Sequence, residues 1–170
     1  MAVLDASVLI ALAKIRRLGV LRDTYSEALI GPVVHDEVVT AGKRIGAVGV
    51  ERVEQALDSG WLRLVRPTPA ERRLTTRILR TSRLHHGEAE ALAIAKQRGQ
   101  LLVVDDKEAR SVAGALGVDF VGAAGVLLEA FLAGHLTLEG LEDALMDLSG
   151  VTWLSPGVVA TVLKLAREER

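Results

Sequence analysis

Short apolar runs that alternate with helical patterns are the feature that most limits how this chain can fold. The run from Leu101 to Val104 is continuously apolar, as in strands that are buried on both faces of a sheet. Strands that are separated by helices indicate a parallel sheet with helices on both faces. The sequence therefore predicts an α/β fold, a single three-layer domain over 1–170 with a central five-stranded parallel sheet. The predicted strands are 2–4, 28–34, 61–65, 101–104 and 118–121.

Helical patterns fill the segments between these strands. Ser155 is a suitable N-cap, and Pro156 suits the first position of the last helix. From about residue 137 the chain is predicted to form a helical C-terminal extension. An apolar stripe on the last helix is expected to complete the core rather than to bind a partner. The predicted helices are 7–16, 34–40, 50–57, 71–84, 87–98, 107–116, 123–132, 138–148 and 156–167, and the stripe consists of Val158, Val159, Val162, Leu163 and Ala166.

The composition excludes several classes of protein. The 170 residues include no cysteine, which excludes disulfides and thiolate metal sites and suits a reducing compartment. The N-terminus has no signal-peptide pattern, and the longest apolar region, 120–132, is interrupted by two glycines and a glutamate. We therefore expect a cytoplasmic protein with no membrane partner. The net charge of −1 gives no global attraction to nucleic acid, so any site for a polyanion has to be local.

Acidic residues follow the predicted strands at the points where these strands end. Asp5 follows the first strand, Glu37 lies in the first turn after the second, and Asp105 and Asp106 follow the fourth. Glu88 opens the helix that precedes the fourth strand. In open parallel sheets, ligands bind beyond the carboxyl ends of the strands. We therefore expect these carboxylates to converge there.

Helical phase supports a metal site at this place. Glu88 shares a helix face with Leu92 and Ala95, whereas Glu90 is offset by two positions and should point elsewhere. Carboxylates on apolar faces are costly unless they are paired or bind a cation, and no lysine or arginine lies at matching strand ends. Converging carboxylates repel one another, and a divalent cation removes that conflict. Oxygen-only ligands favour Mg²⁺ or Mn²⁺.

Each acid also has a simpler structural interpretation. Asp5 would equally serve as the N-cap of the first predicted helix. Glu37 and Glu88 would be favoured as acids in the first turn of a helix, where the helix dipole stabilises negative charge. Of Asp105 and Asp106, one is expected only to cap the helix that starts at 107. The joint placement of the acids, rather than any single one, favours the metal site.

Four ordered motifs resemble those of the PIN domain, the nuclease fold of VapC-type toxins and of RNA-processing enzymes. VLDASVLIALA resembles the opening motif, PVVHDEVV the second, GEAEALAIA the third and LLVVDDKEAR the fourth. The tail, VTWLSPGVVATVLKLARE, resembles that of a subgroup of small bacterial and archaeal PIN proteins. The similarity covers essentially the whole chain.

This resemblance implies a divalent-metal-dependent ribonuclease, an endoribonuclease that hydrolyses phosphodiester bonds of RNA with Mg²⁺ or Mn²⁺. It is compatible with the toxin of a toxin–antitoxin pair, with a small antitoxin protein as partner and with a homodimer. The alternative is a catalytically weak or inactive PIN module that binds nucleic acid or protein. The implied catalytic residues are Asp5, Glu37, Glu88 and Asp106, and the implied metal ligands are Asp5, Glu88, Asp105 and Asp106.

Two motifs depart from the PIN pattern. The fourth motif usually reads apolar-apolar-Thr-x-Asp, so Val104 stands at the Thr position and Asp106 at the position of the Asp. In VGAAGVLLEA, Ala123 and Ala124 lie where relatives show Gly-Thr, so a hydroxyl is missing. A phosphoryl-transfer or receiver domain is a third interpretation, but it needs a second acid near Asp5 or a lysine after a late strand, and the sequence has neither there.

A basic stripe precedes the third motif. Arg73, Arg77 and Arg80 recur at helical spacing, and Arg83 continues the series toward the histidines at 85–86. We predict that these arginines bind the phosphates of nucleic acid, the alternative being a solvated helix face. The histidines are expected at the surface rather than as metal ligands. Because only 3% of the residues are aromatic, few side chains are available to stack on bases.

Overall fold

The computed structural model describes residues 1–169 and contains one sheet. Its strands, in the order β3-β2-β1-β4-β5 across the sheet, are all parallel to their neighbours. This confirms the predicted α/β fold with a central five-stranded parallel sheet. The strands are β1 (Ala2–Leu4), β2 (Ala28–Ile30), β3 (Leu62–Leu64), β4 (Leu101–Val103) and β5 (Phe120–Val121).

Helices connect the strands and extend beyond the last one. A π-helical segment, Asp36–Thr40, joins two short α-helices after β2. The α-helices are α1 (Ala6–Lys14), α2 (Gly19–Tyr25), α3 (Pro32–His35), α4 (Ala41–Arg44), α5 (Val50–Asp58), α6 (Pro69–Thr81), α7 (His86–Arg98), α8 (Lys107–Ala115), α9 (Ala123–Leu132), α10 (Leu138–Val151) and α11 (Pro156–Glu168).

The sheet buries both of its faces. Ala2 and Leu4 of β1 belong to one cluster of buried side chains, whereas Val3 between them belongs to the other, because successive side chains of a strand point to opposite faces. The first cluster is completed by α1, α2, α5, α9, α10 and α11 and by the segment from α3 to the π-helical turn, and the second by α6, α7 and α8. The helices therefore form one layer on each side of the sheet, as the sequence predicts.

The second strand is shorter than predicted. It ends at Ile30, and the prediction of 28–34 is wrong beyond that residue because Pro32 has no N–H to donate to a strand ladder and instead occupies the first turn of α3. The helix predicted over 34–40 begins at Pro32 and passes into the π-helical segment. An extra residue in a helical turn gives no signal in a periodicity of 3.6, so this irregularity was not predictable from the pattern.

Two helices were not predicted, α2 and α4. Of the seven residues of α2, only Val20 and Leu21 are buried, and no side chain caps either end of the helix through a hydrogen bond. A single apolar turn without a cap is too short to show helical periodicity. The four residues of α4 follow the π-helical segment directly and carry no start signal of their own.

The start of α6 is fixed by a capping box. The hydroxyl of Thr68 accepts a hydrogen bond from the N–H of Glu71 at 3.2 Å, and the N–H of Thr68 donates to Oε2 of Glu71 at 2.6 Å. The helix therefore begins at Pro69, two residues before the predicted start, and it ends at Thr81 rather than at 84.

The C-terminal helices pack against the first cluster. Val162 and Ala166 of α11 are buried in it, as predicted for the apolar stripe, whereas Val158 is 41% exposed. The hydroxyl of Ser155 accepts from the N–H of Val158 at 3.2 Å, which confirms the predicted N-cap. Among the described residues, no helix combines the length and the apolar character that crossing a membrane would require.

Candidate active site

The sheet has a topological switch point between β1 and β4. From β1 the chain builds the sheet through β2 to β3, and it then returns to the other side of β1 with β4 and β5. The connections that follow two such strands lie on opposite faces of the sheet, and a crevice opens between them at the carboxyl ends of the strands. Leu4 pairs with Val103, and the N–H of Asp5 donates to the carbonyl of Val103 at 3.1 Å. Asp5 therefore leaves the sheet directly beside the residues that follow β4.

Asp5 occupies the N-cap position of α1 without serving as a cap. Its side chain makes no capping hydrogen bond to the helix, and Oδ2 instead accepts from the hydroxyl of Ser7 at 2.6 Å. The residue is only 3% exposed, and the ion pairs formed by the described residues do not include it. A buried carboxylate without a cationic partner is costly, so the simpler capping interpretation does not account for it.

Three other carboxyl groups respond to the charge of Asp5. Burial raises the pKa of Glu37, of Glu88 and of Asp105, and the negative charge of Asp5 raises the pKa of each one further. Asp106 also contributes to the raised pKa of Glu88. Since such electrostatic effects weaken with distance, Glu37, Glu88 and Asp105 lie near Asp5, and Asp106 lies near Glu88. We call these five acids the acidic cluster.

The π-helical segment carries Glu37 to the start of α7. A Cβ built on Gly87 would lie 3.1 Å from Oε1 of Glu37, so the absence of a side chain at Gly87 allows this close approach. His85 and His86 partly oppose the raised pKa of Glu37 through their positive charge. Single π-helical turns inside α-helices occur frequently at functional sites.

Glu88 lies in the first turn of α7 and is held by the backbone. The N–H of His85 donates to its Oε2 at 2.9 Å, which lowers the pKa of Glu88 and opposes the effect of burial. The structure therefore supports both interpretations of Glu88. It is a first-turn acid that orients the helix start, and its second oxygen accepts no hydrogen bond from the described residues.

The structure separates the roles of the two acids after β4. Oδ1 of Asp106 accepts from the N–H of Ala109 at 2.7 Å, so Asp106 is the N-cap of α8. Oδ1 of Asp105 accepts from Nη2 of Arg110 at 3.0 Å and from the N–H of Ala123 at 3.1 Å. Both contacts lower the pKa of Asp105 and oppose the effects of burial and of Asp5. The expectation that no basic partner neutralises the acids is therefore wrong for Asp105.

Helical phase predicts that Glu90 points away from the cluster, but the negative charge of Glu90 also raises the pKa of Glu37, so Glu90 lies beside the cluster. It is 6% exposed, and its Oε1 accepts from the N–H of Val33 at 3.0 Å in the first turn of α3. A Cβ at Gly31 would overlap this carboxylate, so α7 and the β2–α3 junction fit only around a glycine. Sequence reasoning missed this role in holding the segment that carries Glu37, although the Gly-Pro pair signals a tight junction.

The donor set fits a hard divalent cation. It consists of carboxylate oxygens, and each of Asp5, Glu88, Asp105 and Asp106 uses one oxygen for a local hydrogen bond and keeps the other one free of hydrogen bonds from the described residues. Within residues 1–169, no three Asp, Glu or His side chains already stand in the geometry that would hold an ion.

Comparison with known proteins identifies the family. A family model described as PIN domain matches residues 1–168. The chain belongs to the PIN-domain family. A solved structure titled "Toxin-antitoxin complex from Klebsiella pneumoniae" contains a chain of similar fold, with a TM-score of 0.53 and 18% sequence identity, and the match covers 71% of this chain and 96% of that chain. No curated protein matches the sequence.

The arginines of the basic stripe of this PIN domain lie at different distances from the acids. Arg73, Arg77 and Arg80 are exposed on the side of α6 opposite to its buried residues. Nε of Arg98, at the end of α7, donates to Oε1 of Glu71 at 2.7 Å, so α6 and α7 run antiparallel. The end of α6 therefore lies beside the start of α7, and Arg80 is nearer to the acids than Arg73, by about 10 Å along the helix axis.

The remaining predicted arginine, Arg83, lies in the loop between α6 and α7. Its side chain is exposed, and its N–H donates to Oε1 of Glu108 in the first turn of α8 at 2.6 Å. This contact brings the loop close to the capping residue Asp106. The side chains of His85 and His86 are also exposed.

The departures from the PIN-domain motifs have structural consequences. Val104 is buried in the second cluster, so no hydroxyl is available at this position. Ala123 contributes its backbone N–H to Asp105, and Ala124 is also buried. Arg110 donates through Nε to the carbonyl of Val104 at 3.0 Å as well as to Asp105. Arg110 of α8 therefore contacts both Val104 and Asp105, the first residues after β4.

Proposed function

We propose that this PIN domain is a divalent-metal-dependent ribonuclease that hydrolyses phosphodiester bonds within RNA. The observation that carries the proposal is the carboxylate of Asp5, which is 3% exposed at the switch point of the sheet and belongs to none of the ion pairs of the described residues. The charge of Asp5 also adds to the raised pKa values of Glu37, Glu88 and Asp105. A buried carboxylate without a cationic partner is costly, and a bound cation would offset that cost. PIN domains are generally nucleases, which agrees with this chemistry.

Mg²⁺ or Mn²⁺ is the cation that we propose for the cluster. The residues that would hold it are Asp5, Glu88, Asp105 and Asp106, each through the oxygen that its local hydrogen bond leaves free. Of these, Asp5 and Asp106 would be direct ligands. When bound, the metal supplies an activated water and charge stabilisation at the leaving oxygen of a phosphodiester.

The chain's own groups would orient the substrate and move protons. The raised pKa values of Glu37 and Glu88 mean that these carboxyl groups bind a proton more readily than ordinary glutamates do. Glu37 lies next to the start of α7, and its carboxyl group would exchange a proton with the attacked phosphate through a water molecule. The exposed Arg80 and Arg83 would contact phosphates of the RNA strand on the α6 side of the acids.

A toxin of a toxin–antitoxin pair is the biological setting that we propose. Support comes from the similar fold found in the Klebsiella pneumoniae complex, whose title names a toxin and an antitoxin. The partner would then be a small antitoxin protein, and the active form would be a homodimer in the cytoplasm.

The test is cleavage of a single-stranded RNA that carries a fluorophore and a quencher, in the presence of Mn²⁺. Asp5→Asn preserves the shape of the side chain and its contact with Ser7, and it should lower the cleavage rate by more than about 100-fold, the upper range for residues that only support metal ligands. Asp58→Asn, an exposed acid at the end of α5, is the matched control and should cleave at the wild-type rate. Equal rates for wild type and Asp5→Asn, or full activity in EDTA, would exclude this mechanism.

An inactive PIN module is the second candidate function. The ion pair between Arg110 and Asp105 favours it, because a cationic side chain already occupies part of the acidic cluster. Such a module would bind RNA with the same affinity in wild type and in Asp5→Asn and would cleave it in neither. Cleavage that is lost in Asp5→Asn alone would exclude this alternative.

A further inference from the structure

Trp153 is an exposed aromatic side chain in a chain that has few of them. It lies in the loop between α10 and α11, and it is 86% exposed. The other tryptophan, Trp61, packs against the first buried cluster. Tryptophan is enriched at binding interfaces, so an exposed ring of this size is a candidate contact surface.

Trp153 lines a groove that begins at the acidic cluster. The groove has a volume of about 310 Å³ and extends from Asp105 and Arg110 past Gly122 to Trp153 and Val158. Its volume lies at the lower end of the range for small-ligand sites, roughly 300–1,000 Å³. Because Asp105 belongs both to the groove and to the cluster around Asp5, a molecule in the groove would be continuous with one at the acids.

The groove combines an apolar wall with a cationic side chain that is paired with a carboxylate. Trp153, Leu154 and Val158 supply apolar surface, and Arg110 supplies a guanidinium group that also stacks on the ring of Phe120, 5.9 Å from its centroid. Asp105 is the acidic residue among those that line the groove, and Arg110 already pairs with it. The groove therefore lacks the repulsive negative charge of the neighbouring cluster.

We propose that this groove binds one unpaired nucleotide of a single-stranded RNA, with the base stacked on Trp153 and the adjacent phosphate beside Arg110. The proposal rests on the ribonuclease function proposed above and names a substrate subsite for it. Proteins that bind single strands use this combination, an aromatic platform and a cationic contact, and they tolerate many sequences because every base has a π-face. RNA fits better than a second copy of this chain because the groove leads directly to the acids that would act on the strand.

The subsite would lie on the opposite side of the acids from the basic stripe of α6. Arg80 and Arg83 lie in the helix layer of the second buried cluster, whereas Trp153 connects α10 and α11 in the layer of the first. A strand that contacts both would therefore cross the carboxyl edge of the sheet over Asp5. The sequence alone suggested that base stacking was poorly supplied, and the position of this tryptophan changes that expectation.

The test uses tryptophan fluorescence and binding of a short RNA. In Asp5→Asn/Trp61→Phe, which should not cleave, Trp153 is the single tryptophan, and its emission should be quenched when a ten-nucleotide single-stranded RNA binds. Trp153→Ala in the Asp5→Asn background should weaken binding by about 5- to 150-fold, the range for the loss of one stacked base, whereas Trp153→Phe should retain most of the affinity. The 86% exposure of Trp153 makes a folding defect an inadequate explanation for such a loss.

A scan with abasic nucleotides locates the stacked base. With Trp153 present, removing the base at one position of the RNA should weaken binding. In Trp153→Ala, removing that same base should weaken binding little further, because the two changes remove the same contact. Equal affinity of Trp153 and Trp153→Ala proteins for every RNA would overturn the proposal. A wild-type dimer that becomes a monomer in Trp153→Ala, with unchanged RNA binding, would also overturn it and assign the surface to self-association.

The outcomes separate the subsite from the ribonuclease function. Absence of cleavage in wild type together with base-dependent quenching of Trp153 would support the subsite and contradict the enzyme. Normal cleavage that is unaffected by Trp153→Ala, with no quenching, would contradict the subsite and leave the enzyme supported.

Discussion

The pair formed by Glu71 and Arg98 should be the most important single polar interaction for the stability of the α6–α7 hairpin, and Glu71→Ala tests this. Glu71 is 1% exposed and accepts three hydrogen bonds, from the N–H of Thr68 at 2.6 Å and from Nε and Nη2 of Arg98 at 2.7 and 3.2 Å. The hairpin matters for function because it carries the basic stripe and presents Glu88 to the acidic cluster.

The expected loss follows from these contacts. Removing the acceptor for the N–H of Thr68 costs about 1 kcal/mol, as for the loss of a helix cap. Breaking a buried ion pair costs about 3–5 kcal/mol when the remaining charge stays buried, but the side chain of Arg98 is 29% exposed and can regain water, so about 2 kcal/mol is expected for this part. The total of about 3 kcal/mol corresponds to a fall in Tm of roughly 6–12 °C for a chain of this length.

Urea unfolding followed by circular dichroism measures this loss. Glu142→Ala is the matched control, because it breaks an ion pair with Arg167 at 3.2 Å between two exposed side chains and should cost less than about 1 kcal/mol. Burial raises the pKa of Glu71, but the hydrogen bonds with Arg98 and Thr68 and the charge of Arg98 together lower it below its ordinary value of 4.5. The contribution of the ion pair is therefore present above that ordinary value and is lost as the pH falls through the lowered pKa. A Glu71→Ala variant whose free energy of unfolding lies within 1 kcal/mol of the wild-type value at neutral pH would refute the reasoning.

Three further predictions concern the acidic cluster and the basic stripe. At about 100 times its Kd, Mn²⁺ should stabilise the wild type by about 2.7 kcal/mol, or roughly 5–11 °C in Tm by differential scanning calorimetry, and it should do so in Asp58→Asn but not in Asp5→Asn. In EDTA, the three carboxyl groups whose pKa values Asp5 raises bind more protons in the folded than in the unfolded state. Their effect should therefore make the urea midpoint rise as the pH falls from about 7 toward 5, and a rise of equal size in Asp5→Asn would contradict it. The double change Arg80→Glu/Arg83→Glu should weaken binding of single-stranded RNA and reduce its salt dependence more than Arg73→Glu does, as measured by fluorescence anisotropy at several salt concentrations.

The fold was predictable from the sequence, and the prediction of an acidic cluster followed from it for one physical reason. A parallel sheet brings all carboxyl ends of its strands to one edge, so acids that are distant in sequence but follow strands must lie near one another. Asp5 and the pair after β4 needed only the strand boundaries to be placed. Glu37 came close to them although its helix was irregular, because an acid in the first turns after a strand stays near the same edge whichever helical form follows.

Contacts between distant side chains were not predictable in the same way. Arg110 lies five residues after Asp105, and whether it turns back to that carboxylate depends on the angle at which α8 leaves the sheet. The partner of Glu90 depends on the packing of α7 against the β2–α3 junction. Helical phase indicates which face of α7 carries Glu90, but it does not identify the residue that packs against that face. Such contacts depend on tertiary packing, and the periodicity of a single sequence does not show how its helices pack.

The two proposed substrate contacts follow from the same topology as the acids. The N–H of Ala123, at the start of α9, reaches Asp105, so α9 begins at the carboxyl edge immediately after β5. α11 packs against α9, and the groove at its start joins Trp153 and Ser155 to that edge. On the other side, the antiparallel arrangement of α6 and α7 returns Arg80 to the same edge. A strand of RNA laid across the switch point would therefore meet cationic groups, then carboxylates, then an aromatic surface. This order requires that RNA length matter, and oligonucleotides too short to contact Arg80 and Trp153 together should bind more weakly than longer ones by about the contribution of the contact that they cannot reach.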